Sequence, residues 1–433
     1  MADPDDTLVA TGTFPALEQL QSASPGLALE QARRAIQARE PRVRAWAYLP
    51  ADAAACPAEP LEGPLAGIPF GVKDVIDVAG MPTGCGSPAS AAAAAPFNAA
   101  SVELLLRAGA VPVGKTVTAE YAFRDPGPTR NPANLAHTPG GSSSGSAAAV
   151  AAGMVPFALS TQTGGSIIRP AAYCGVPGYK PSFGLLSRDG LKLTSESLDV
   201  IGWHGASVDW VLACARALLP DTGAPRDATL AGAKVAVIDF SAEAAASADV
   251  LAVLRDTAAT LERLGAQCVA VDAKQPLTLL ARAHAVIMKY EFARNLAPVV
   301  RARRQALSDS LLENVRQGWQ VPHAEYLEMR ALQRELRASW HAFTGGADFI
   351  LTPSAADDAP AGHAFTGAPV FNKCWSVLGW PCLHLPVRPS PRGLPVGVQL
   401  VGQFEQDFPL LAYGRQLEQQ LSIEGAKREN SAA

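Results

Sequence analysis

Three side chains in the first half of the sequence, Lys73, Ser142 and Ser166, each sit in a context suited to moving a proton or attacking a carbonyl carbon. Lys73 lies in GIPFGVKDVIDVAGMPT, behind an apolar, strand-like run and ahead of Asp74 and a second apolar pair. An amine held at the end of a buried strand loses hydration, which penalises its charged form and brings its pKa from about 10.4 toward neutrality. A neutral amine of that kind is a usable general base.

Ser142 belongs to TPGGSSSGSAAAVAAG, in which every residue from Gly140 to Ser146 is glycine or serine and an alanine-rich, helix-like stretch follows. One reading of such a stretch is a flexible linker. It is sealed on both sides by apolar sequence and lacks the lysine of a phosphate-binding loop, so it reads better as a loop with unusual backbone geometry and several hydroxyls. Ser166 lies within STQTGGSIIRPAA, where Gly164 and Gly165 let the chain turn so that successive N–H groups point into one space. Such a space can hold an oxyanion.

The elements that must position these residues alternate along the chain. Short β-rich runs at residues 68–72, 111–114, 155–160, 234–239, 267–271, 349–352, 382–387 and 396–401 are separated by helical patterns at 101–108, 207–219, 249–264, 277–296 and 326–343. A further helical lead-in covers residues 19–37. This alternation predicts an α/β fold: a single-domain α/β/α sandwich with a central, twisted, mostly parallel but mixed sheet flanked by helices. The mixing is expected from Pro389 to Gly393, which turns the last two strands into a hairpin. Residues 221–343, more helical and more charged, are expected to wall the substrate cleft. No internal repeat or disordered linker divides the chain, although 89–95 and the tail after Gly425 are low in complexity.

Composition narrows the function. Forty acidic against thirty-six basic residues give a net charge of −4 with the signs interspersed, which argues against nucleic acid as a partner. Residues 138–168 carry neither charge nor histidine, but Pro139, Pro156 and many Gly and Ser break the run, so no membrane span is expected. The start of the chain, with Asp3, Asp5 and Asp6, has no secretory pattern, and a cytoplasmic location is the expectation. Seven widely spaced cysteines read as reduced thiols, and seven scattered histidines predict no metal site.

The order Lys73, Ser142, Ser166, together with GPTRNPANLAHTPGGSSSGS, GYKPSFGLLS and GLPVGVQLVG, resembles the amidase signature family over roughly residues 20–420. The resemblance implies hydrolysis of a carboxylic amide without a cofactor. It makes Ser166 the nucleophile, Ser142 a bridging serine after a cis peptide bond and Lys73 the base. It puts the oxyanion against the N–H groups of Thr163, Gly164, Gly165 and Ser166. A homodimer is an expectation drawn from the family alone.

Two departures bear on the substrate. Gln162 stands where many members of the family carry Asp, and Arg169 follows Ser166 by three residues where many have their arginine at two. The second register resembles the malonamidase branch, in which the matching arginine binds a carboxylate. A small amide bearing a carboxylate, or a urea-like compound such as biuret, is the substrate this implies; a structural ion pair is the competing role for Arg169. Phe371, Asn372 and Trp375, next to Thr366 and Gly367, are candidates for the far wall of the site, with an amphipathic core helix as the alternative. Cys85 is expected to be an inert buried thiol, His137 to hydrogen-bond locally, and Glu291 to be a satisfied structural acid. The rival readings are the amidase subunit of a tRNA-dependent amidotransferase, against which Gln162 and Arg169 argue, and a silent binding protein on the same fold, against which the retention of all three proton-handling residues argues.

Overall fold

The computed structural model describes residues 14–21, 26–51, 61–90, 93–221, 223, 227–240 and 246–432. The acidic start with Asp3, Asp5 and Asp6 lies outside the described residues, as do parts of the 19–37 lead-in and of the alanine-rich 89–95 run. Eleven strands form one sheet: β1 (Trp46–Tyr48), β2 (Pro69–Lys73), β3 (Val111–Thr116), β4 (Phe157–Gln162), β5 (Gly178–Lys180), β6 (Val200–Gly205), β7 (Lys234–Val237), β8 (Gln267–Ala270), β9 (Phe349–Pro353), β10 (Cys382–Pro389) and β11 (Pro395–Gly402). Their spatial order is β1-β3-β2-β4-β6-β5-β10-β11-β9-β7-β8.

Only two blocks of this sheet are parallel, β3-β2-β4 at one side and β9-β7-β8 at the other. The middle of the sheet, from β4 through β6, β5, β10 and β11 to β9, is antiparallel throughout. The expected mixed α/β sheet is present, but its mostly parallel character is not. Two short strands, β5 and β6, insert antiparallel between the blocks, and the β10–β11 hairpin turns about Gly393.

Burial explains the strand sequences. Every residue of β2, β4, β6 and β9 is buried, so these strands lack the in-and-out alternation of a half-buried strand. Phe70 and Phe157 stack across β2 and β4 with centroids 5.4 Å apart. Helices begin where serine supplies the missing acceptor: Ser207, Ser247 and Ser308 each accept from the N–H three residues on. No helix among the described residues is long and apolar enough to cross a membrane.

The parallel block positions the site. Lys73, Thr116 and Gln162 are the last residues of β2, β3 and β4, so the loops that follow leave from the carboxyl ends of three parallel strands, where α/β sheets leave room for ligands.

Candidate active site

Lys73 is fully buried, and its Nζ lies 2.9 Å from Ser142 Oγ and 2.8 Å from Thr161 Oγ1, with the Thr161 carbonyl at 3.4 Å. No carboxylate touches it among the described residues. Burial pushes its pKa down to about 7; the negative charge of Asp199 works against that shift and the positive charge of Arg169 adds to it. The amine is therefore close to half-neutral at physiological pH.

Ser142 follows a cis Gly141–Ser142 peptide bond in the glycine–serine loop, and the loop is no linker. Ser142, Ser143 and Ser146 have no exposed surface, and the helix Ser144–Ala151 is buried along its whole length. Each neighbouring hydroxyl has an internal partner: Ser143 Oγ donates to the Thr161 carbonyl at 3.2 Å, Ser144 Oγ to that of Val117 at 3.4 Å, and Ser146 Oγ to that of Leu159 at 3.0 Å. Gly145 is required by space, because a Cβ there would lie 2.2 Å from the Ala45 carbonyl oxygen and 2.3 Å from Val117 N. The Ser143 N–H donates to the Ser166 carbonyl at 3.3 Å, which joins this loop to the one after β4.

That second loop, residues 163–166, is held from three sides. Gln162 Oε1 accepts from the N–H groups of Ile167 at 2.9 Å and Ile168 at 3.1 Å, the start of the helix Ile168–Cys174. Its Nε2 donates to Ser376 Oγ at 3.3 Å, and Ser376 donates to the Gly164 carbonyl at 3.1 Å. The neutral carboxamide thus does by shape what an acid at this position would do by charge. Thr163 donates to Asp199 at 2.5 Å, and the His284 ring N–H donates to the Thr163 carbonyl at 3.1 Å. Among the described residues nothing accepts from the N–H groups of Gly164, Gly165 and Ser166. Three donors in succession are thus left without an acceptor.

A cavity of about 270 Å³ opens over this loop. Thr163 to Ser166 and Arg169 form its floor; Phe123, Met288, Phe292 and Pro369 supply apolar walls. Its volume suits a small molecule, since drug-sized ligands need roughly 300–1,000 Å³. Among the described residues no aspartate or glutamate lines it. Arg169, 4% exposed, donates Nη2 to the Gly141 carbonyl at 2.6 Å and reaches Thr366 Oγ1 at 3.5 Å, while its buried Nε and Nη1 have no partner. Burial lowers its pKa to about 10, which leaves the guanidinium charged at neutral pH. The ion pair weighed as its structural role is absent among the described residues.

The three expected wall residues lie elsewhere. Trp375 has no exposed surface and packs edge-on against Phe240 and Trp340 at 5.8 Å in the second hydrophobic core, with Phe371 in the same cluster. Asn372 sits behind the loop: a Cβ on Gly165 would lie 2.6 Å from its Oδ1, and its Nδ2 donates to the Ser354 carbonyl at 3.0 Å. The apolar spacing of the helix Lys373–Leu378 reports a core face, and Thr366 to Pro369 just before it form the wall instead. Of the described residues in 221–343, only those of the helix Lys274–Asn295 reach the cavity, through His284, Met288 and Phe292; β7 and β8 extend the sheet.

The remaining side chains have structural roles. His137 Nδ1 bonds the carbonyl of Ala359, distant in sequence, at 2.7 Å. Glu291 accepts from Ser195, Ser197 and Tyr326 and pairs with Arg330 at 3.3 Å. Burial raises the Cys85 thiol to about 12, so no thiolate forms at neutral pH. Thr161, Asp199 and His284 carry no local sequence signal, because strand pairing and helix packing alone bring them to the site.

A family model described as Amidase matches residues 28–411. The chain belongs to the amidase signature family. It is 31% identical to a glutamyl-tRNA(Gln) amidotransferase subunit from Synechococcus sp. (strain CC9605), over 95% of this chain and 96% of that one. Among solved structures, the chain is similar to the inhibitor-bound chain of a study on the evolutionary origins of an s-triazine catabolic enzyme, with TM-score 0.84, 27% identity and coverage of 94% and 96%. It is also similar to the native peptide amidase of Stenotrophomonas maltophilia, with TM-score 0.77, 28% identity and coverage of 94% and 95%. Members of the family cleave C–N bonds.

Proposed function

We propose that the protein is an amidohydrolase in which Lys73, Ser142 and Ser166 form a proton-relay triad, and that its substrate is a small amide bearing a carboxylate. The observation that carries this reading is the buried Lys73 amine 2.9 Å from Ser142 Oγ. Neutral Lys73 takes the Ser142 proton as Ser142 takes that of Ser166, whose oxygen bonds to the amide carbon. The carbonyl electron pair moves to an oxyanion held by the N–H groups of Thr163, Gly164, Gly165 and Ser166. When the pair returns, the C–N bond breaks and the relay, reversed, protonates the leaving nitrogen; water then cleaves the acyl-enzyme by the same route. No step uses a cofactor. The two unpaired nitrogens of buried Arg169 support a planar anion as the substrate's second feature, as in the malonamidase branch. One domain, a cytoplasmic site of action and a homodimer complete the proposal, the last open to sedimentation velocity.

The test is ammonia release across malonamate, biuret and neutral aliphatic and aromatic amides. Ser166→Ala should reduce turnover by at least about a thousandfold, and Arg169→Gln should weaken acidic amides selectively. Turnover intact in the first variant removes the triad; equal losses on acidic and neutral amides in the second remove the carboxylate site.

A second reading, the amidase subunit of a glutamine-dependent amidotransferase, is favoured by the amidotransferase relative at 31% identity along nearly the whole chain. Against it stands a cavity with two arginines and no carboxylate among its described residues to receive the ammonium of free glutamine. Copurification with partner subunits and glutamine-dependent ammonia release would establish this alternative.

A further inference from the structure

We infer that Arg124 is a specificity residue at the mouth of the cavity, and that it selects amides whose far half carries a second anionic group. The inference rests on the carboxylate-amide reading above and extends it: Arg169 grips one acid group at the floor and Arg124 faces the other. The substrate class is then an amide joining two acid-bearing halves, such as an N-carboxyacyl amino acid, in place of a simple primary amide.

Arg124 lines the cavity but keeps part of its surface in solvent, and its guanidinium lies 4.5 Å from the ring centroid of Phe123. The ring holds the cation by its face and leaves the N–H edge free for a ligand. Acids flank Arg124 in sequence, yet both are engaged elsewhere. Asp125 accepts from the hydroxyls of Ser308 and Ser310, and Glu120 accepts from Ser87 Oγ at 2.6 Å and from the Ser308 N–H at 3.1 Å. The segment is thus clamped at both ends onto the start of the helix Asp309–Gln320.

Between the clamps the backbone is strained. Tyr121 and Ala122, neither of them glycine, hold φ of 44° and 56° in succession, a left-handed conformation that side chains disfavour. Directly after this left-handed turn come Phe123 and Arg124, which line the cavity. Phe365, 58% exposed, also lines the mouth and gives apolar surface to the linking part of a longer substrate.

The experiment compares kcat/KM for malonamate with that for N-malonylglycine and N-succinylglycine in the wild type, Arg124→Gln, Arg124→Lys and Arg169→Gln, each checked for an unchanged thermal midpoint. The wild type should prefer the dianions. Arg124→Gln should lower the dianion-to-monoanion ratio by about fivefold, the upper range for an exposed charge contact. Arg124→Lys should restore part of it, and raising salt to about 0.5 M should shrink the wild-type ratio by screening. A wild type indifferent to the second charge, or a ratio unmoved in Arg124→Gln, overturns the inference. If instead Arg169→Gln fails to separate acidic from neutral amides, the underlying reading fails, whatever Arg124 does.

Discussion

Replacing Arg169 by methionine separates two effects that the structure ties together. The guanidinium is one of the charges that hold the Lys73 pKa down near 7, after burial and against Asp199. Removing it leaves burial and the opposing Asp199 charge, so the pKa must rise. The base works only when neutral, so kcat/KM climbs with pH through that pKa. The wild type should reach half its plateau near pH 7, and Arg169→Met at a higher pH. On an acidic amide the variant also loses up to two charge-assisted hydrogen bonds, each worth about 1.5 kcal/mol at the low end, or roughly a hundredfold in kcat/KM together. The assay is a pH profile of ammonia release between about pH 5.5 and 9.5, run first on a neutral amide so that binding of a substrate anion does not enter. A midpoint that stays in place or moves down would refute the electrostatic coupling. A neutral amide that suffers the full hundredfold loss at its own plateau would assign the effect to the lost Gly141 contact instead.

Further outcomes follow from packing and titration. Gly145→Ala forces a methyl group onto the Ala45 carbonyl and Val117 backbone, and should destabilise the fold by more than about 2 kcal/mol, read as a lower denaturant midpoint. Trp375→Ala should lower stability by about 3–5 kcal/mol while KM of the folded fraction is kept; a raised KM would return Trp375 to the substrate wall. His204 and His284 are buried with pKa values lowered to about 4, and His384 to about 3, mainly by loss of hydration. The native chain keeps them neutral while the unfolded chain takes up protons near pH 6.5, so their contribution is whole above that pH and is lost as pH falls toward 4. At about 3 kcal/mol or more apiece, they pull the melting temperature down between about pH 6.5 and 5. Glu418, which burial pushes up to about 7, gains its proton in the native state over that window and opposes them, and Asp199 and Asp407, also raised by burial, act in the same direction. The fall should therefore be steeper in Glu418→Gln than in the wild type, and a flat profile in that variant would contradict the burial of the histidines.

The placement of the candidate residues was legible where it depends on short motifs. Lys73 behind its apolar run and Ser142 in its glycine–serine loop sit where local sequence put them, because a wholly buried strand and a wholly buried loop each leave a compositional trace. The sheet was less legible: β5 and β1 span three residues each, too short for periodicity, and β6 carries His204 and two glycines. Missing β5 and β6 concealed the antiparallel middle of the sheet. Trp375 misled because an apolar stripe facing a core and one facing a ligand have the same spacing. Phe123, Arg124 and Phe292 meet only through tertiary packing, and no local pattern announces a cavity wall.

The burial of the glycine–serine loop also governs which hydroxyls a reagent arriving from solvent can find. Ser142, Ser143 and Ser146 present no surface at all, whereas Ser166 keeps 8% and opens onto the cavity. Among the described residues Ser166 is the one serine that lines the cavity, so an electrophilic inhibitor or a fluorophosphonate tag entering there meets it ahead of its serine neighbours. The selectivity of such labelling is set by access before reactivity enters.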